Sequence, residues 1–518
     1  LHLRSVTLTA KDKICLCETR ECTPEACPYA NGYYARIKGA LWDVLDVPCL
    51  TAETLQEYAE RHTVCPFELD SSLWSDVIIG DYNYLFDPVV HLVRFFESAG
   101  DYIFLVDEAH NLPGRAREMH SAALTKTSFY EAKKLLGKGK SSLKNALTKV
   151  NDVFIEWRHR AEEETAARDG RFGKTFFLKE RSEEFDHLLN RLCEPLEAWL
   201  DDHREPDETH TALLQLYFDV RAWLRVADTF DDHFVLQITA SGSEVRAAQL
   251  CLDPSAFLAD SFALGRAAVL FSATLAPASY YKDLCGVPEA RAVALRSPFP
   301  AGNQGLFCIG NVSTRYKDRD ASLAIVAESL ATMVRARCGN YLAFFPSYAY
   351  MEQAYAQFKE HCPEINCIKQ ENAMDEQQKA AFLAQFVPGP SQPLLGFAVM
   401  GGVFGEGVDL TGDRLIGVGI VGPGLPQVGP RQEQLRDYFE QTRGSGFDYA
   451  YRYPGMNKVL QAAGRVIRTP RDKGVVLLID NRFAMPDYRR LMPPHWSHLK
   501  MIYDTEKLER ELWRFWEE

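Results

Sequence analysis

The chain has 518 residues, a formal net charge of −13, 46% hydrophobic residues and 25% charged residues. Its length exceeds one ordinary domain and favours about three or four compact units of a globular protein. The acidic balance excludes a protein that coats nucleic acid over its whole surface, as histone-like proteins do. It still allows a narrow basic channel, because phosphate contacts need only local Lys and Arg.

Compartment and redox state are the next expectations. No run of about 18 or more apolar residues is present, and residues 1–7 resemble a strand rather than a signal peptide. We therefore expect a cytoplasmic protein without a membrane partner. In a reducing cytoplasm, the thirteen cysteines are not expected to form a disulfide framework.

Cysteines are concentrated near the start of the chain. Cys15, Cys22 and Cys27 fall within a short segment, and Cys65 follows later. Four thiolates can hold zinc or an iron–sulfur cluster, and the spacing is not the paired C-x-x-C of a zinc ribbon. The residues alone leave open zinc, an iron–sulfur cluster and unliganded thiols. The remaining cysteines from Cys49 onward are expected to pack as small apolar residues.

Aromatic and basic residues alternate directly after this segment, at Tyr33, Tyr34, Arg36 and Lys38. Stacking rings and cations are the groups that bind a single nucleic-acid strand. The same pattern also fits an ordinary amphipathic helix.

Residues 102–106 form an apolar run typical of a buried strand, and Asp107, Glu108 and His110 follow it. A carboxylate at the end of such a strand can hold Mg²⁺ on nucleotide phosphates, and its neighbour can orient or deprotonate the attacking water. Asp107 and Glu108 suit these two roles. The alternative is an acidic pair that caps the following turn.

A helical insertion is predicted over residues 115–232, where leucines and aromatic residues repeat at helical spacing. Residues 234–238 and 245–252 are then expected to form a hairpin that returns the chain to the first α/β unit. Ser272 and Thr274 follow another apolar run at 268–271, where their hydroxyls can bond the Asp-Glu-Ala-His segment. A helix cap is the competing interpretation.

A second α/β unit is predicted from continuous apolar runs at 341–345, 395–399, 415–421 and 474–479, which suit parallel strands covered on both faces. Residues 401–409 are rich in glycine around Glu406, Gly407 and Asp409, so backbone amides can approach a phosphate or sugar.

Near the carboxyl end, a helix would place Arg465 and Arg468 on one face, with Gln461 one turn earlier. Two guanidinium groups directed at the nucleotide of a neighbouring domain would stabilise the transferring phosphoryl group. A solvated basic helix face is the alternative.

These motifs, in this order, resemble the XPD/DinG family of superfamily 2 iron–sulfur DNA helicases, and the bacterial DinG-like members most closely. The resemblance rests on the cysteine segment, Asp-Glu-Ala-His at 107–110, Ser-Ala-Thr at 272–274, Gly-Glu-Gly-Val-Asp at 405–409 and Gln-Ala-Ala-Gly-Arg-Val-Ile-Arg at 461–468. It implies an α/β fold with two RecA-like parallel-sheet motor domains, an iron–sulfur cluster insertion and a mainly helical arch insertion.

The resemblance also implies the domain boundaries. These are a remnant of motor domain 1 at 1–13, a cluster domain at 14–70, motor domain 1 at 71–114, the arch at 115–232, motor domain 1 again at 233–300, and motor domain 2 at 301–518.

The implied activity is ATP-dependent 5'-to-3' translocation on single-stranded DNA, acting on forked or structured DNA in repair or replication. A monomeric, nucleoid-associated motor is expected, and its protein partners are not indicated.

The implied cofactors are Mg²⁺, held by Asp107, and a 4Fe-4S cluster, with ATP as substrate. The implied catalytic residues are Asp107, Glu108, His110, Arg465 and Arg468. The resemblance also implies residues that contact the nucleotide (Gln461, Gly407, Asp409), couple the motifs (Ser272, Thr274), hold the cluster (Cys15, Cys22, Cys27, Cys65) and contact DNA (Tyr33, Tyr34, Arg36, Lys38).

Two departures from the family pattern stand out. Cys17 is an additional thiol that is not expected to be a ligand, although it can compete with Cys15. No G-x-x-x-x-G-K-S/T phosphate loop occurs in these residues, although such motors need it to bind the phosphates. We therefore expect an amino-terminal truncation. The alternative function is an iron–sulfur DNA-binding protein without ATP turnover.

Overall fold

The structure, a computed structural model, describes residues 3–67, 69, 74–139, 141–167, 173–205, 207–405 and 410–517. The chain divides into two compact units, 1–101 and 102–518. The predicted segment 71–114 of motor domain 1 therefore spans the division between them. None of the described helices combines the length and apolar character that crossing a lipid bilayer requires.

The first unit contains a small parallel sheet of order β2-β1-β3, with helices packed around it. Val6 of the central strand lies in a core with Leu50, Leu55 and Ala59. The elements of this unit are β1 (Ser5–Thr7), α1 (Lys11–Ile14), α2 (Tyr33–Val44), β2 (Cys49–Leu50), α3 (Ala52–His62), β3 (Val77–Ile79), α4 (Asn83–Phe86) and α5 (Val93–Phe96).

The second unit begins with a parallel strand pair and the insertion between its two strands. β4 pairs with β9 in the register Val106 to Leu270, so both strands end at the same edge. The elements from β4 to the end of this region are β4 (Ile103–Val106), α6 (Leu112–Met119), β5 (Ala122–Thr125), α7 (Lys126–Leu135), α8 (Ser142–Ala167), β6 (Lys174–Leu178), α9 (Glu183–Asp202), α10 (Glu208–Asp228), β7 (Phe234–Ser241), β8 (Glu244–Cys251), α11 (Ser255–Ala263), β9 (Ala267–Leu270) and α12 (Ala278–Leu284).

The insertion is helical, as predicted, but it also contains an antiparallel sheet of order β5-β8-β7-β6. The hairpin β7–β8, which we assigned to motor domain 1, therefore pairs with strands of the insertion. The reason is burial: Leu236 and Ile238 of β7 face the same core as Phe185 and Trp223 of the helices. By strand pairing the insertion ends at Cys251, and the chain then returns to β9.

The remainder forms the predicted second α/β unit around a parallel sheet of order β12-β13-β11-β14-β15-β10-β16. All residues of β15 are buried, as its uninterrupted apolar sequence requires. The elements are β10 (Gln304–Ile309), α13 (Arg319–Arg335), β11 (Asn340–Phe345), α14 (Tyr348–His361), β12 (Asn366–Lys369), α15 (Glu376–Ala384), β13 (Leu394–Val399), β14 (Gly417–Val421), α16 (Pro430–Arg443), a π-helical turn (Asp448–Arg452), α17 (Tyr453–Ala463), β15 (Gly474–Ile479), α18 (Pro486–Arg489), β16 (Lys500–Ile502) and α19 (Thr505–Glu517).

Candidate functional site

The acidic pair lies where β4 ends. Asp107 and Glu108 are both exposed, and Glu108 has a φ of 45°, in the left-handed region that few non-glycine residues adopt. The backbone N–H of Glu108 donates to Asp107 Oδ1 at 2.7 Å. The turn thus places two neighbouring, exposed carboxylates at the strand end.

His110 is buried beneath this turn and joins the two strand ends. Its Nδ1 lies 2.7 Å from Ser272 Oγ and 3.2 Å from Glu108 Oε2. Ser272 Oγ also donates to Glu108 Oε2 at 3.3 Å, and it lies 3.4 Å from Thr274 Oγ1. The structure therefore brings Glu108 and His110 together with Ser272 and Thr274, although His110 and Ser272 are 162 positions apart in the sequence.

Gln461 of α17 completes this network from the second α/β unit. Its side-chain nitrogen is hydrogen-bonded to His110 Nε2. An amide nitrogen only donates, so with this assignment His110 Nε2 accepts and Nδ1 carries the proton. A single neutral imidazole thus connects the acidic turn, the Ser-Ala-Thr strand end and α17.

The two arginines are placed differently from the prediction. We expected Arg465 and Arg468 on one helix face, but α17 ends at Ala463 and both lie beyond it. The helix ends here because Val466 and Ile467 leave the helical path and bury in the core of the second α/β unit. Arg465 instead donates from Nη2 to the carbonyl of Gly405 at 2.8 Å.

That contact connects Arg465 to the glycine-rich loop. Glu406, Gly407 and Asp409 lie outside the described residues. Immediately before them, a Cβ on Gly405 would lie 3.0 Å from the backbone nitrogen of Gly401, so a side chain at this position would press on the backbone of the turn.

The predicted cluster cysteines lie in the first unit. Cys22 is exposed, whereas Cys15, Cys27 and Cys65 are half-buried. Cys17 Sγ lies 3.9 Å from Cys27 Sγ. Burial, together with the neighbouring thiols of Cys27 and Cys15, raises the pKa of Cys17 to about 11. Within the described ranges, no group of three or more His, Cys, Asp or Glu is arranged to hold a metal.

The predicted DNA-contact residues divide into two groups on α2. Tyr33 packs against the core of the first unit. Arg36 donates to the carbonyls of Thr63 at 2.7 Å and Pro28 at 3.2 Å, so it holds the cysteine segment to the end of α3. Tyr34 and Lys38, in contrast, are exposed.

Trp42 lies one further turn along the exposed side of α2. The aromatic and basic pattern that we used ends at Lys38 and does not include it. The exposed fractions of Tyr34 and Trp42 are 88% and 75%. Tyr34, Lys38 and Trp42 follow one another at intervals of four residues, so they share one helix face. Extending the aromatic and basic pattern by one helical turn would have found Trp42.

Two family models match the chain. One, described as DEAD_2, covers residues 3–129, and the other, described as the helicase C-terminal domain, covers residues 330–499. The first includes the cysteine segment and the acidic turn, and the second includes Gln461 and both arginines. The chain belongs to the XPD-like helicase family.

Curated relatives agree with this membership. The chain is 24% identical over 540 residues to the general transcription and DNA repair factor IIH helicase subunit XPD of Schizosaccharomyces pombe, covering 86% of this chain and 67% of the relative. It is 22% identical over 524 residues to the ATP-dependent DNA helicase CHL1 of Coccidioides immitis, covering 87% of this chain and 60% of the relative. The chain thus spans about two thirds or less of these XPD-like relatives.

A solved structure titled XPD helicase has the same fold. It superposes with a TM-score of 0.60 at 18% identity, and the match covers 96% of this chain and 86% of that chain. The mixed α/β architecture with a large parallel sheet is therefore confirmed as that of an XPD-like helicase.

Proposed function

We propose that the protein is an ATP-dependent DNA helicase that translocates 5'-to-3' on single-stranded DNA in repair or replication. The observation that carries the proposal is the hydrogen bond between Gln461 of α17 and His110 of the acidic turn. A motor needs its nucleotide chemistry to change the relation between two α/β units. This bond joins the acidic turn at the end of β4 to α17 of the second α/β unit.

Asp107 would hold Mg²⁺, which neutralises phosphate charge when it is bound. Glu108 is then the group that orients or deprotonates water, because its Oε2 already has two partners that fix its position, Ser272 Oγ and His110 Nδ1. Ser272 connects Glu108 to the end of β9, and His110 connects it to Gln461 of α17.

Arg465, Arg468 and Gln461 would contact the nucleotide from the second α/β unit. Arg465 supports this role through its hydrogen bond to Gly405, because the bond places a guanidinium beside the glycine-rich loop. Gly407 and Asp409 are proposed to complete the nucleotide contact from that loop.

A 4Fe-4S cluster on Cys15, Cys22, Cys27 and Cys65 is proposed for the first unit. The thiol chemistry of this donor set suits iron, and such a group would hold the segment between α1 and α2 in one conformation. The side of α2 bearing Tyr34, Lys38 and Trp42 is proposed to contact single-stranded DNA by stacking and by its charge.

The deciding test uses the purified protein expressed from its complete gene. ATP hydrolysis is measured with and without single-stranded DNA, and displacement of streptavidin from a biotinylated 5' or 3' end reports direction. DNA-stimulated hydrolysis with displacement from the 3' end supports the proposal. DNA binding without hydrolysis would instead favour the alternative function, a DNA-binding protein without ATP turnover.

A further inference from the structure

The interface between the antiparallel sheet of the insertion and α16 ends in a group of arginines. Along most of its length this interface is apolar: Ala248 and Leu250 of β8 pack with Leu435 and Phe439 of α16. Helical and strand periodicity place the next residues on the same two faces, namely Arg431, one turn before Leu435, and Arg246, two positions before Ala248.

Arg117 of α6 joins these two residues. Its Nε donates to the carbonyl of Leu252 at 2.8 Å, and its guanidinium lies 5.8 Å from the ring centre of Phe439 on α16. It is thus held between the end of the hairpin and the helix that carries Arg431. Buried Cys251 is within electrostatic range of both Arg117 and Arg431.

Carboxylates lie near these arginines without pairing with them. Glu118 is within electrostatic range of Arg431, and Asp253 and Asp231 are within electrostatic range of Cys251. Across the ranges that the structure describes, none of Arg117, Arg246 and Arg431 forms a salt bridge, and nearby Glu118 is 3.6 Å from Arg115. Packing around the Arg431 guanidinium removes part of its water, although the residue retains exposure. This desolvation, followed by the positive charges of Arg117 and Arg246, lowers the pKa of Arg431, and the negative charge of Glu118 opposes the shift only in part.

Neutral hydrogen-bonding groups lie beside the arginines. Arg246 is in register with Thr125 of β5 and Thr239 of β7, so the three share the sheet face that packs on α16. Arg431 lies in the first turn of α16, whose N-cap Gly429 provides no side-chain cap. The backbone N–H groups of that first turn have no acceptor within the helix, so they add positive electrostatic potential beside Arg431.

We propose that Arg117, Arg246 and Arg431 bind consecutive phosphates of a single nucleic-acid strand between the insertion and the second α/β unit. Cations spread over three elements suit an extended polyanion better than one compact anion. Because the net charge of the chain is −13, a cluster of three arginines that forms no salt bridge within the described ranges stands out from the surface average. The inference rests on the proposed function, since it assigns a path to the proposed DNA strand.

The test measures binding of fluorescein-labelled oligo(dT) by anisotropy over a series of salt concentrations. Arg246→Gln and Arg431→Gln are each expected to weaken binding roughly tenfold and to reduce the salt slope by about 1. Arg431→Lys, which keeps the charge, is expected to recover most of the affinity. Arg191→Gln on the exposed side of α9 is the matched control and should bind as the wild type does.

Each outcome separates this assignment from the proposed function. If the wild type and Arg246→Gln bind oligo(dT) with the same affinity and salt slope, the arginine path is overturned and the proposed function is not. If the Arg→Gln variants change the KM for ATP at saturating oligo(dT) but keep the affinity for DNA, the arginine path is also overturned, and the arginines act on nucleotide instead. Failure of the wild type to bind oligo(dT) overturns both. Melting curves identify a misfolded Arg431→Gln protein, in which case Arg246→Gln decides.

Discussion

Gln461 and His110 are 351 positions apart and hydrogen-bonded through the Gln461 amide and His110 Nε2. Because His110 Nδ1 contacts Ser272 Oγ at 2.7 Å, a change at either strand end reaches α17 through one ring.

Gln461→Ala is expected to reduce DNA-stimulated ATP hydrolysis about tenfold or more, since a buried imidazole nitrogen loses its partner. Affinity for DNA without nucleotide should change little. Gln357→Ala is a matched control, because Gln357 also bonds a histidine, His361, on the surface of α14. If DNA stimulates ATP hydrolysis equally in the Gln461 and Gln357 variants, Gln461 does not couple DNA binding to hydrolysis.

Glu108→Gln in the intact reading frame is expected to lower ATP turnover by at least roughly 10²-fold, because an amide cannot accept the proton of the attacking water. Binding of nucleotide and DNA should persist, since the shape of the side chain is kept. Filter binding and steady-state hydrolysis measure the two quantities separately. Normal turnover would exclude Glu108 from the chemistry.

Tyr34→Ala and Trp42→Ala are each expected to weaken binding of single-stranded DNA roughly tenfold, because one stacked base contributes about 1–3 kcal/mol. Stability should hardly change, because both rings are exposed. Tyr33→Phe is the control on the same helix. Anisotropy with oligo(dT) and urea unfolding report affinity and stability. Unchanged affinity in both alanine variants would show that this face of α2 does not contact DNA.

Cys22→Ser is expected to lose iron and acid-labile sulfide, whereas Cys17→Ser is expected to retain both. The comparison is informative because the structure places Cys17, not Cys22, 3.9 Å from Cys27. Metal analysis of the purified variants, with visible absorption, measures the outcome without depending on activity. The reverse result would make Cys17 the ligand and Cys22 a surface thiol.

Asp480 directly follows β15 and is fully buried. Its carboxylate accepts hydrogen bonds from Thr314 Oγ1 at 2.5 Å and from Arg482 Nε at 2.8 Å. Burial alone would raise the pKa of this carboxyl, but Arg482 and Thr314 outweigh it and lower the pKa below 3.8. The charged carboxylate therefore stabilises the fold above about pH 4, and this stabilisation is lost as the pH falls through the folded-state pKa.

Asp480→Asn is expected to reduce the free energy of unfolding by about 3–5 kcal/mol at neutral pH, because Arg482 is left without its buried partner. The difference from the wild type should shrink in acid. Urea midpoints from pH 7 to about pH 3 measure it. A difference that is constant with pH would show that packing, and not charge, stabilises this position.

The sequence by itself determined the strands that precede the motifs, and it determined the family. Continuous apolar runs such as Gly474–Ile479 are typical of parallel strands buried on both faces, so the parallel sheet of the second α/β unit was predictable. Glu108, His110 and Ser272 were identifiable because their residue types follow strands.

Only the tertiary structure decided the partners of those residues. The end of α17 at Ala463 depends on burial of Val466 and Ile467 in a core assembled from distant strands. Periodicity within one segment does not record this burial, and so the helix was predicted to continue. The hairpin partners and the convergence of Arg117, Arg246 and Arg431 likewise follow from long-range packing, which local propensity does not encode.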